Sequence, residues 1–573
     1  MATTIDRSGA PGPDDAGVDD DAAAPGAPAT RPTRWWGAGS RLGRPPRAVW
    51  TASLLLALVG ALWTVAQPHY RAPDEAAHVD LVLYLAEGHP YPRYDGRRFG
   101  EEMGLDEHRH LVDLAIPWPR FAEHDAPPRT DRPDVDDLGG TAPDANARRR
   151  GSDGSARAGY PYVYNQMPQH PPLYYEAMAT VLRAERRLLP GDDLPALDRE
   201  VGLLRLANVL LIAPLPLFAW AVVRRLGGDD RAGAVAAVLP LCVPQLTHIG
   251  AAVNNDNLFA LVGAALAVLL AGVARGRRTA ATDVGVGAAL GLALLTKAFA
   301  VMFVPWVVLA YGLAWRTGHA RRTPAGLAVA GSVAAALGGW WWIDNWIREG
   351  QPAPTTENLT RTAAGRPAGF TPDRVSYAWT FAGRLVSRTW AWVGFGTPKF
   401  DLPSLLVAGL TLAFVAVTLV ALARATPGLG ADGGLRRIDV ALAWLPVVLV
   451  VAFVYRRAWG LFGTTGRFAF VQGRYLFGVG ATPAAVAAIG AVRVHRRAGV
   501  AVLGVAALVQ GWLLADVVRG SWSGDGRWGA LSGMLAWSPW PSAAVVAVAI
   551  SAGVVTAVLA RQLWRSGSPA AAG

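Results

Sequence analysis

The chain has 573 residues, of which 52% are hydrophobic and only 17% are charged. So few charged side chains could not cover several soluble domains, and the excess of apolar residues favours a membrane interior. The net charge of +11 does not indicate a nucleic-acid-binding protein, because the arginines stand in short clusters between apolar runs and form no continuous basic face.

Residues 1–46 are rich in Ala, Pro, Gly, Asp and Arg and are predicted to form a disordered cytoplasmic tail. The run at 47–66 is predicted to be a retained first transmembrane helix, since no small-residue cleavage site follows it. Eleven further apolar runs are predicted to span the membrane, which needs ~20 residues, and the division of 284–314 into two spans at Thr296 and Lys297 is the weakest of them. The predicted segments are 48–66, 201–223, 232–253, 258–273, 284–295, 298–314, 325–343, 402–423, 440–455, 470–492, 500–518 and 543–563. The fold class is therefore an all-α polytopic membrane protein with about twelve transmembrane helices.

Short arginine-bearing loops alternate with longer loops along these segments. Cytoplasmic loops hold the excess of Arg and Lys, so we expect a multi-pass plasma-membrane protein with both termini in the cytoplasm. The first extracytoplasmic loop should contain a disordered insert near 125–157 and an interfacial helix at 173–188. The predicted blocks are an outer loop at 67–200, helices 2–7 at 201–343, an outer loop at 344–401, helices 8–12 at 402–563 and a cytoplasmic tail at 564–573.

Polar residues follow the first helix in the segment Pro73-Asp74-Glu75-Ala-Ala-His78, with Tyr84 further along. Asp74 and His78 would share one helix face at this spacing. One interpretation is a helix cap with solvated charges, and the other is a carboxylate that acts as a general base or binds a cation at the membrane surface. The spacing differs from the His-Glu-x-x-His pattern of zinc sites.

Two more polar segments are predicted on the same face. His170-Pro171-Pro172-Leu173-Tyr174-Tyr175 suits either an aromatic belt at the headgroups or the recognition of a sugar ring. The segment Asn254-Asn255-Asp256-Asn257 suits either an ordinary polar turn or the orientation of hydroxyl groups or a cation.

Basic residues also occur on this outer face, where they are normally scarce. The only two lysines, Lys297 and Lys399, both lie there, and Lys297 is the stronger candidate to bind an anion. Near the ninth and tenth predicted helices, the arginines Arg456, Arg457, Arg467 and Arg474 are also predicted on this face, and Arg474 stands within Gln472-Gly473-Arg474-Tyr475. They could snorkel to lipid headgroups or bind a phosphate, and together they suggest a site for an anionic lipid.

Taken in order, the segments around Asp74, His170, Asn255 and Arg474 resemble the bacterial membrane family known as domain of unknown function 2142. That family looks related to the GT-C glycosyltransferase superfamily. The resemblance runs from about residue 48 to residue 518 and rests on the ordered set of segments, since each one alone is short.

The resemblance implies a GT-C-like enzyme that takes a sugar from a polyprenyl-phosphate donor and passes it, with inversion, to an extracytoplasmic glycan or lipid acceptor. Asp74 is then the expected catalytic base, with Glu75 supporting it. The donor phosphate would meet Lys297, Arg474 and Arg467. Some such enzymes need a divalent metal, Mg²⁺ or Mn²⁺, and its candidate ligands are Glu75 and His78. The acceptor or sugar would contact His78, Tyr84, His170, Tyr174, Tyr175, Asn255, Asp256 and Gln472.

Two other functions fit a polytopic protein with polar outer loops. A transporter or flippase of lipid-linked sugars would use charged residues near the middle of the membrane and would show paired repeats. A noncatalytic scaffold for envelope assembly would leave the polar residues without a common task. The charged candidates cluster at one face and no repeat is visible, which favours sugar transfer.

Overall fold

The computed structural model describes residues 42–91, 167–189, 197–317, 323–353, 368–394, 399–428, 433–522 and 526–567. These residues form α-helices and short 3₁₀ or π segments, with isolated bridges in place of β-strands. The predicted insert at 125–157 and nearly all of the tail at 1–46 lie outside the described residues.

The helices are numbered here in chain order. Those of the first half are α1 Arg47–Ala66, α2 Glu75–Ala86, α3 Leu173–Leu188, α4 Leu197–Ile212, α5 Leu215–Arg225, α6 Asp230–Val238, α7 Pro244–Gly250, α8 Asp256–Val273, α9 Ala280–Leu294 and α10 Phe303–Arg316. Those of the second half are α11 Thr323–Ala334, α12 Trp340–Glu349, α13 Arg374–Trp390, α14 Ser404–Ala423, α15 Arg437–Thr465, α16 Ala481–Val494, α17 Ala498–Ser521, α18 Gly529–Trp537 and α19 Ser542–Ser566.

Each of the twelve predicted apolar segments coincides with helical structure. Among the described residues, nine helices are long and apolar enough to cross a membrane, and two bent pairs bring the number to eleven. The remaining predicted segment, 284–295, corresponds to α9, which has 15 residues and is shorter than an ordinary span. The described chain thus has nine to eleven candidate spans, and the number twelve stays a prediction.

The two bent pairs have local causes. Asp230–Cys242 meets Pro244–Gly250 at 70°, and a proline at this break can neither donate a backbone hydrogen bond nor continue a straight helix. The 3₁₀ helix Gly473–Val479 meets α16 at 78°. A side chain on Gly263 of α8 would lie 2.0 Å from the carbonyl oxygen of Gly478, so only glycine permits this close packing. The bend therefore brings the 3₁₀ helix against α8.

The first predicted outer loop contains two helices in its described part. A helix is present at the predicted residues 173–188, as α3, and it packs against α2, while its position at the membrane interface stays a prediction. Val79, Leu83, Tyr174 and Leu182 are buried in a hydrophobic cluster shared by these helices. This packing fixes α2 beside α1 and α4, at one end of the bundle. Because α2 and α3 belong to the first predicted outer loop, we call it the outer end.

Candidate functional site

A buried ion pair holds the segment between α1 and α2. Arg205 of α4 donates to both carboxylate oxygens of Glu75, at 2.8 and 2.6 Å, and also to the backbone carbonyls of Thr64, Gln67 and Pro68. The backbone N–H groups of Tyr70 and Val253 donate to the same carboxylate. Glu75 and Arg205 are completely buried. This clamp, defined as the Glu75–Arg205 pair and the carbonyls it binds, fixes where α2 begins.

Asp74 precedes that clamp and points elsewhere. Its φ of 65° lies in the left-handed region, which is uncommon for a residue other than glycine. The side chain accepts a hydrogen bond of 2.5 Å from Nη2 of Arg474 and keeps 25% of its surface exposed. Non-glycine residues in such conformations cluster at functional sites, where the surrounding structure enforces them. Phe470, between α15 and the 3₁₀ helix Gly473–Val479, also has a positive φ, of 60°.

Asp256 joins the two principal cations. Its Oδ1 lies 2.5 Å from Nζ of Lys297 and its Oδ2 lies 3.5 Å from Nε of Arg474, while its side chain is 1% exposed. Asp256 is the first residue of α8, where the positive end of the helix dipole stabilises a carboxylate. The amide of Asn254 reaches the carbonyl of Pro73, which ties this helix end to the Asp74 segment.

These groups border a polar cavity of about 180 Å³ at the outer end. Eight of the predicted site residues lie in its wall. They are Asp74, His78, His170, Asn255, Asp256, Lys297, Gln472 and Arg474. The structure therefore brings together residues that are separated by as many as 400 positions in the sequence.

One side of the cavity is polar without being charged. Burial, with Arg474 and Lys297 nearby, lowers the pKa of His78 well below its usual value, and burial also lowers the pKa of His170. Both rings are thus neutral at physiological pH. Nδ1 of His78 lies 3.0 Å from the hydroxyl of Tyr175, which packs behind it. Buried polar atoms Nδ1 of His170 and Oδ1 of Asn255 have no hydrogen-bond partner among the described residues, as expected of groups that receive a polar ligand.

Five predicted site residues do not reach the cavity wall. Tyr175 lies behind His78, Tyr174 donates to Asn208 at 2.9 Å, and Tyr84 stacks on His89 at 4.3 Å. Arg467 is exposed beyond the end of α15. Glu75 is held in the clamp.

The contacts of Glu75 do not support a catalytic or metal-binding role. Its two carboxylate oxygens accept four hydrogen bonds, two from Arg205 and two from backbone N–H groups. A divalent metal that used Glu75 and His78 would need that carboxylate to face the cavity. Among the described residues, no group of three or more His, Cys, Asp or Glu side chains is arranged to hold a metal. We therefore derive no chemical step through a metal.

The cavity wall also holds residues outside the predicted phosphate and sugar contacts. Arg457 of α15 lines it, with its guanidinium 4.7 Å from the ring centre of Phe470, and Tyr475 lines it as well. Asn254, from the predicted polar segment 254–257, is also in the wall. Arg457 belongs to the same predicted group of outer-face arginines as Arg467. The sequence therefore indicated basic residues on this face but not which of the two would line the cavity. An arginine inside an apolar run is likewise a signal of function or of a buried partner, and it could have revealed Arg205.

A second cavity, of about 380 Å³, is lined mostly by apolar residues. Consecutive residues of the 3₁₀ helix Gly473–Val479 divide between the two. Arg474 and Tyr475 line the polar cavity, and Leu476 and Phe477 line the apolar cavity. Trp390 and Trp444 also line the apolar cavity.

The fold and the site define a multi-pass all-helical membrane protein with a polar cavity at one end of its spans. The sequence profile of the family described as "Predicted membrane protein (DUF2142)" matches residues 56–481, and the chain belongs to this family. The predicted membership is confirmed. No curated protein matches the sequence significantly.

Solved structures with some similarity include ArnT and an archaeal oligosaccharyltransferase. ArnT from Cupriavidus metallidurans bound to undecaprenyl phosphate is 14% identical over 90% of this chain and 75% of that chain, with a TM-score of 0.44. An oligosaccharyltransferase from Archaeoglobus fulgidus tethered with an acceptor peptide is 15% identical over 72% of this chain and 48% of that chain, with a TM-score of 0.30. Similarity at this level carries no argument about function, which must rest on the site.

Proposed function

We propose that this protein is a membrane glycosyltransferase of the GT-C type, which transfers a sugar from a polyprenyl-phosphate donor to an extracytoplasmic glycan or lipid acceptor. The observation that carries the proposal is that consecutive residues of one 3₁₀ helix line two cavities of opposite character. One cavity is polar, with three cations and a partly exposed carboxylate, and the other is apolar. A lipid phosphate sugar has the matching sequence of parts, namely a sugar, a phosphate and an isoprenoid chain.

The charges suit the two ends of the reaction. Transfer of a sugar needs a base to accept the proton of the acceptor hydroxyl and positive charge to stabilise the departing phosphate. Asp74 is the cavity carboxylate with a partly exposed side chain, and Lys297, Arg457 and Arg474 are the cations. The neutral rings of His78 and His170 would contact sugar hydroxyls.

In the proposed reaction, the acceptor oxygen forms a bond to the anomeric carbon on the face opposite the phosphate. The bond from that carbon to the phosphate oxygen breaks, and its electron pair stays with the phosphate. The proton of the acceptor hydroxyl goes to Asp74. The products are a sugar of inverted configuration on the acceptor and a polyprenyl phosphate bound by the cations.

The orientation follows from the arginine distribution. The loops that join α5 to α6, α8 to α9 and α16 to α17 carry the arginine clusters, and they lie at the end of the spans away from the cavity. Since such loops face the cytoplasm, the cavity would open to the extracytoplasmic side, with both termini in the cytoplasm. Lipids of the outer leaflet would then surround its apolar neighbour.

The experiment is a transfer assay with the full chain in liposomes, supplied with labelled polyprenyl-phosphate sugars, nucleotide sugars and candidate glycan acceptors. We expect turnover with a lipid-phosphate sugar. Lys297→Gln should reduce it by about tenfold or more because a cation bonded to the leaving group is lost. Lys399→Gln is the matched control, since this other lysine lies over Trp392 outside the cavity wall and should leave turnover unchanged.

Turnover with nucleotide sugars alone would refute the donor class. Movement of the lipid-linked sugar across the bilayer without transfer would favour the transporter. Equal losses of turnover in Lys297→Gln and Lys399→Gln would show that the polar cavity is not where transfer takes place.

A further inference from the structure

Two arginines of α13 stand beside the polar cavity without lining it. Nη1 of Arg388 donates to the backbone carbonyl of Val471 at 2.6 Å, and the residues on either side of Val471 both belong to the cavity wall. One helical turn earlier, the guanidinium of Arg384 lies 4.5 Å from the ring centre of Phe468. Both arginines therefore lie against the segment 468–472, which forms part of the wall at its end.

Within the described part of the chain, Arg384 and Arg388 have no carboxylate partner, in contrast to Arg205 and Arg474, which each contact one. The two are spaced at i and i+4 on one helix face, where like charges destabilise a helix. Burial, with Arg384 nearby, lowers the pKa of Arg388, and Asp401 offsets this only in part. An anion bound between them would therefore stabilise this part of α13.

The contacts that these arginines do make are with aromatic rings. The guanidinium of Arg388 lies 4.1 Å from the ring centre of Trp392, much as Arg384 lies over Phe468. A guanidinium contacts a ring with its face and keeps N–H groups at its edge, which can bind a phosphate or a carboxylate. Both side chains are half-buried, so an anion can reach them.

The other faces of α13 indicate the side from which the anion would come. Val375, Trp379 and Val386 are exposed and share one face of the helix, which suits contact with lipid. At 3.6 residues per turn, Arg384 and Arg388 lie about 160° around the helix from the centre of that face. Arginines that snorkel to lipid headgroups would border the apolar face. The positions of these two instead favour an anion from the aqueous side, next to the polar cavity.

We propose that the acceptor is an acidic glycan, and that Arg384 and Arg388 bind its phosphate or carboxylate groups while one of its hydroxyl groups enters the polar cavity. The proposal rests on the proposed function and adds the chemical class of the acceptor. The donor phosphate is assigned to Lys297, Arg457 and Arg474, so the two substrates use separate basic groups.

The test measures binding of fluorescent carboxymethyl dextran to the full chain in phosphatidylcholine nanodiscs, with unmodified dextran of the same length as the neutral comparison. Wild type should bind the acidic polymer at least about tenfold more tightly than dextran. The double variant Arg384→Gln with Arg388→Gln should lose about tenfold or more of that preference, because charge-assisted hydrogen bonds are lost. Equal binding of the two polymers by wild type, or an unchanged preference in the double variant, overturns the proposal.

Control variants separate this site from a general loss of positive charge. Arg527 lies over Trp528 at 5.7 Å, next to α18 and outside the cavity wall, and Arg527→Gln should leave the preference unchanged. An equal loss in Arg527→Gln overturns the proposal. If the double variant does not fold, Arg384→Gln alone serves as the test, since Arg384 donates no hydrogen bond to the described backbone, and it should lose about threefold.

Two further measurements identify the source of the anion. Labelled decaprenyl phosphate should bind wild type and the double variant equally, and a loss in the variant would assign the arginines to the donor and overturn the proposal. In nanodiscs that contain phosphatidylglycerol, retention of this lipid by wild type but not by the double variant would assign them to a lipid headgroup and also overturn it.

The proposed function and the acceptor class fail in different ways. A preference for the acidic polymer in a protein that transfers no sugar would uphold the arginine site and refute the proposed function. Transfer of sugar to a neutral glycan as fast as to an acidic one would uphold the proposed function and refute the acidic acceptor.

Discussion

Consecutive residues, Asp74 and Glu75, form ion pairs with arginines in two regions of very different character. Glu75 and Arg205 are completely buried, and the carboxylate accepts four hydrogen bonds from the protein. Asp74 and Arg474 meet at a cavity wall, and the side chain of Asp74 remains a quarter exposed. The first pair forms the clamp, and the second borders the candidate site.

The difference shows that an arginine–carboxylate pair has a role set by what surrounds it. In the clamp, nearby acceptors and donors satisfy both partners, so the pair fixes the chain and offers nothing to a ligand. At the cavity, Arg474 lies between two carboxylates, and one of them, Asp74, is partly exposed. Pairs of this second kind combine charge with access, which is what binding an anion requires.

The largest expected effect comes from the clamp. Arg205→Met should leave Glu75 as a buried charge without its partner and lower stability by about 3–5 kcal/mol. Heating followed by size-exclusion chromatography in detergent would measure the change. Arg474→Met is the comparison variant and should reduce the melting temperature less, because Asp256 keeps Lys297 and Asp74 keeps access to water. The comparison fails if Arg205→Met melts like the wild type.

A smaller effect should separate two outer-face arginines. Arg457 lines the cavity, whereas Arg467 is exposed past the end of α15. Arg457→Gln should raise the KM for the lipid-phosphate donor by roughly tenfold, since a charge-assisted hydrogen bond to the phosphate is lost. Arg467→Gln should change KM less than about twofold because an exposed charge contributes little. A larger rise with Arg467→Gln would move the phosphate site away from the cavity.

The smallest effect concerns protonation beside the cavity. Burial and the nearby Arg474 lower the pKa of His78, so the folded protein keeps this ring neutral when the unfolded chain takes up a proton below about pH 6.5. Its contribution to stability is therefore present above that pH and is lost as the pH falls. Between pH 7.5 and 5.5, the stability difference between wild type and His78→Gln should shrink by about 1 kcal/mol. A difference that is constant with pH would mean that His78 is accessible to protons in the folded state.

Much of the architecture could be predicted from hydropathy. Every predicted apolar segment is helical, and the helix predicted at 173–188 is present. Length alone did not reveal that the segments at 232–253 and 470–492 are sharply bent. The first bend is at a proline, and the second lies where Gly263 and Gly478 pack closely, a contact that the sequence does not show.

The sequence predicted which residues lie at the candidate site better than it predicted what each residue does there. Polar residues at the outer ends of spans do meet, because those ends converge at one end of the bundle. The choice between neighbours was not predictable. Asp74 and Glu75 point to different regions because Asp74 adopts a left-handed backbone conformation, and Arg457 is distinguished from Arg467 by where α15 ends. Arg205 was missed because it lies within an apolar run that hydropathy assigns to a span.

The most direct test of sugar transfer at this cavity is single-turnover transfer by Asp74→Asn preloaded with a lipid-phosphate sugar. The account predicts that the variant melts within a few degrees of the wild type, binds the donor and transfers the sugar at least about 100-fold more slowly, as expected when a general base is removed. Transfer at a rate within tenfold of the wild type would contradict the account and show that the base lies elsewhere.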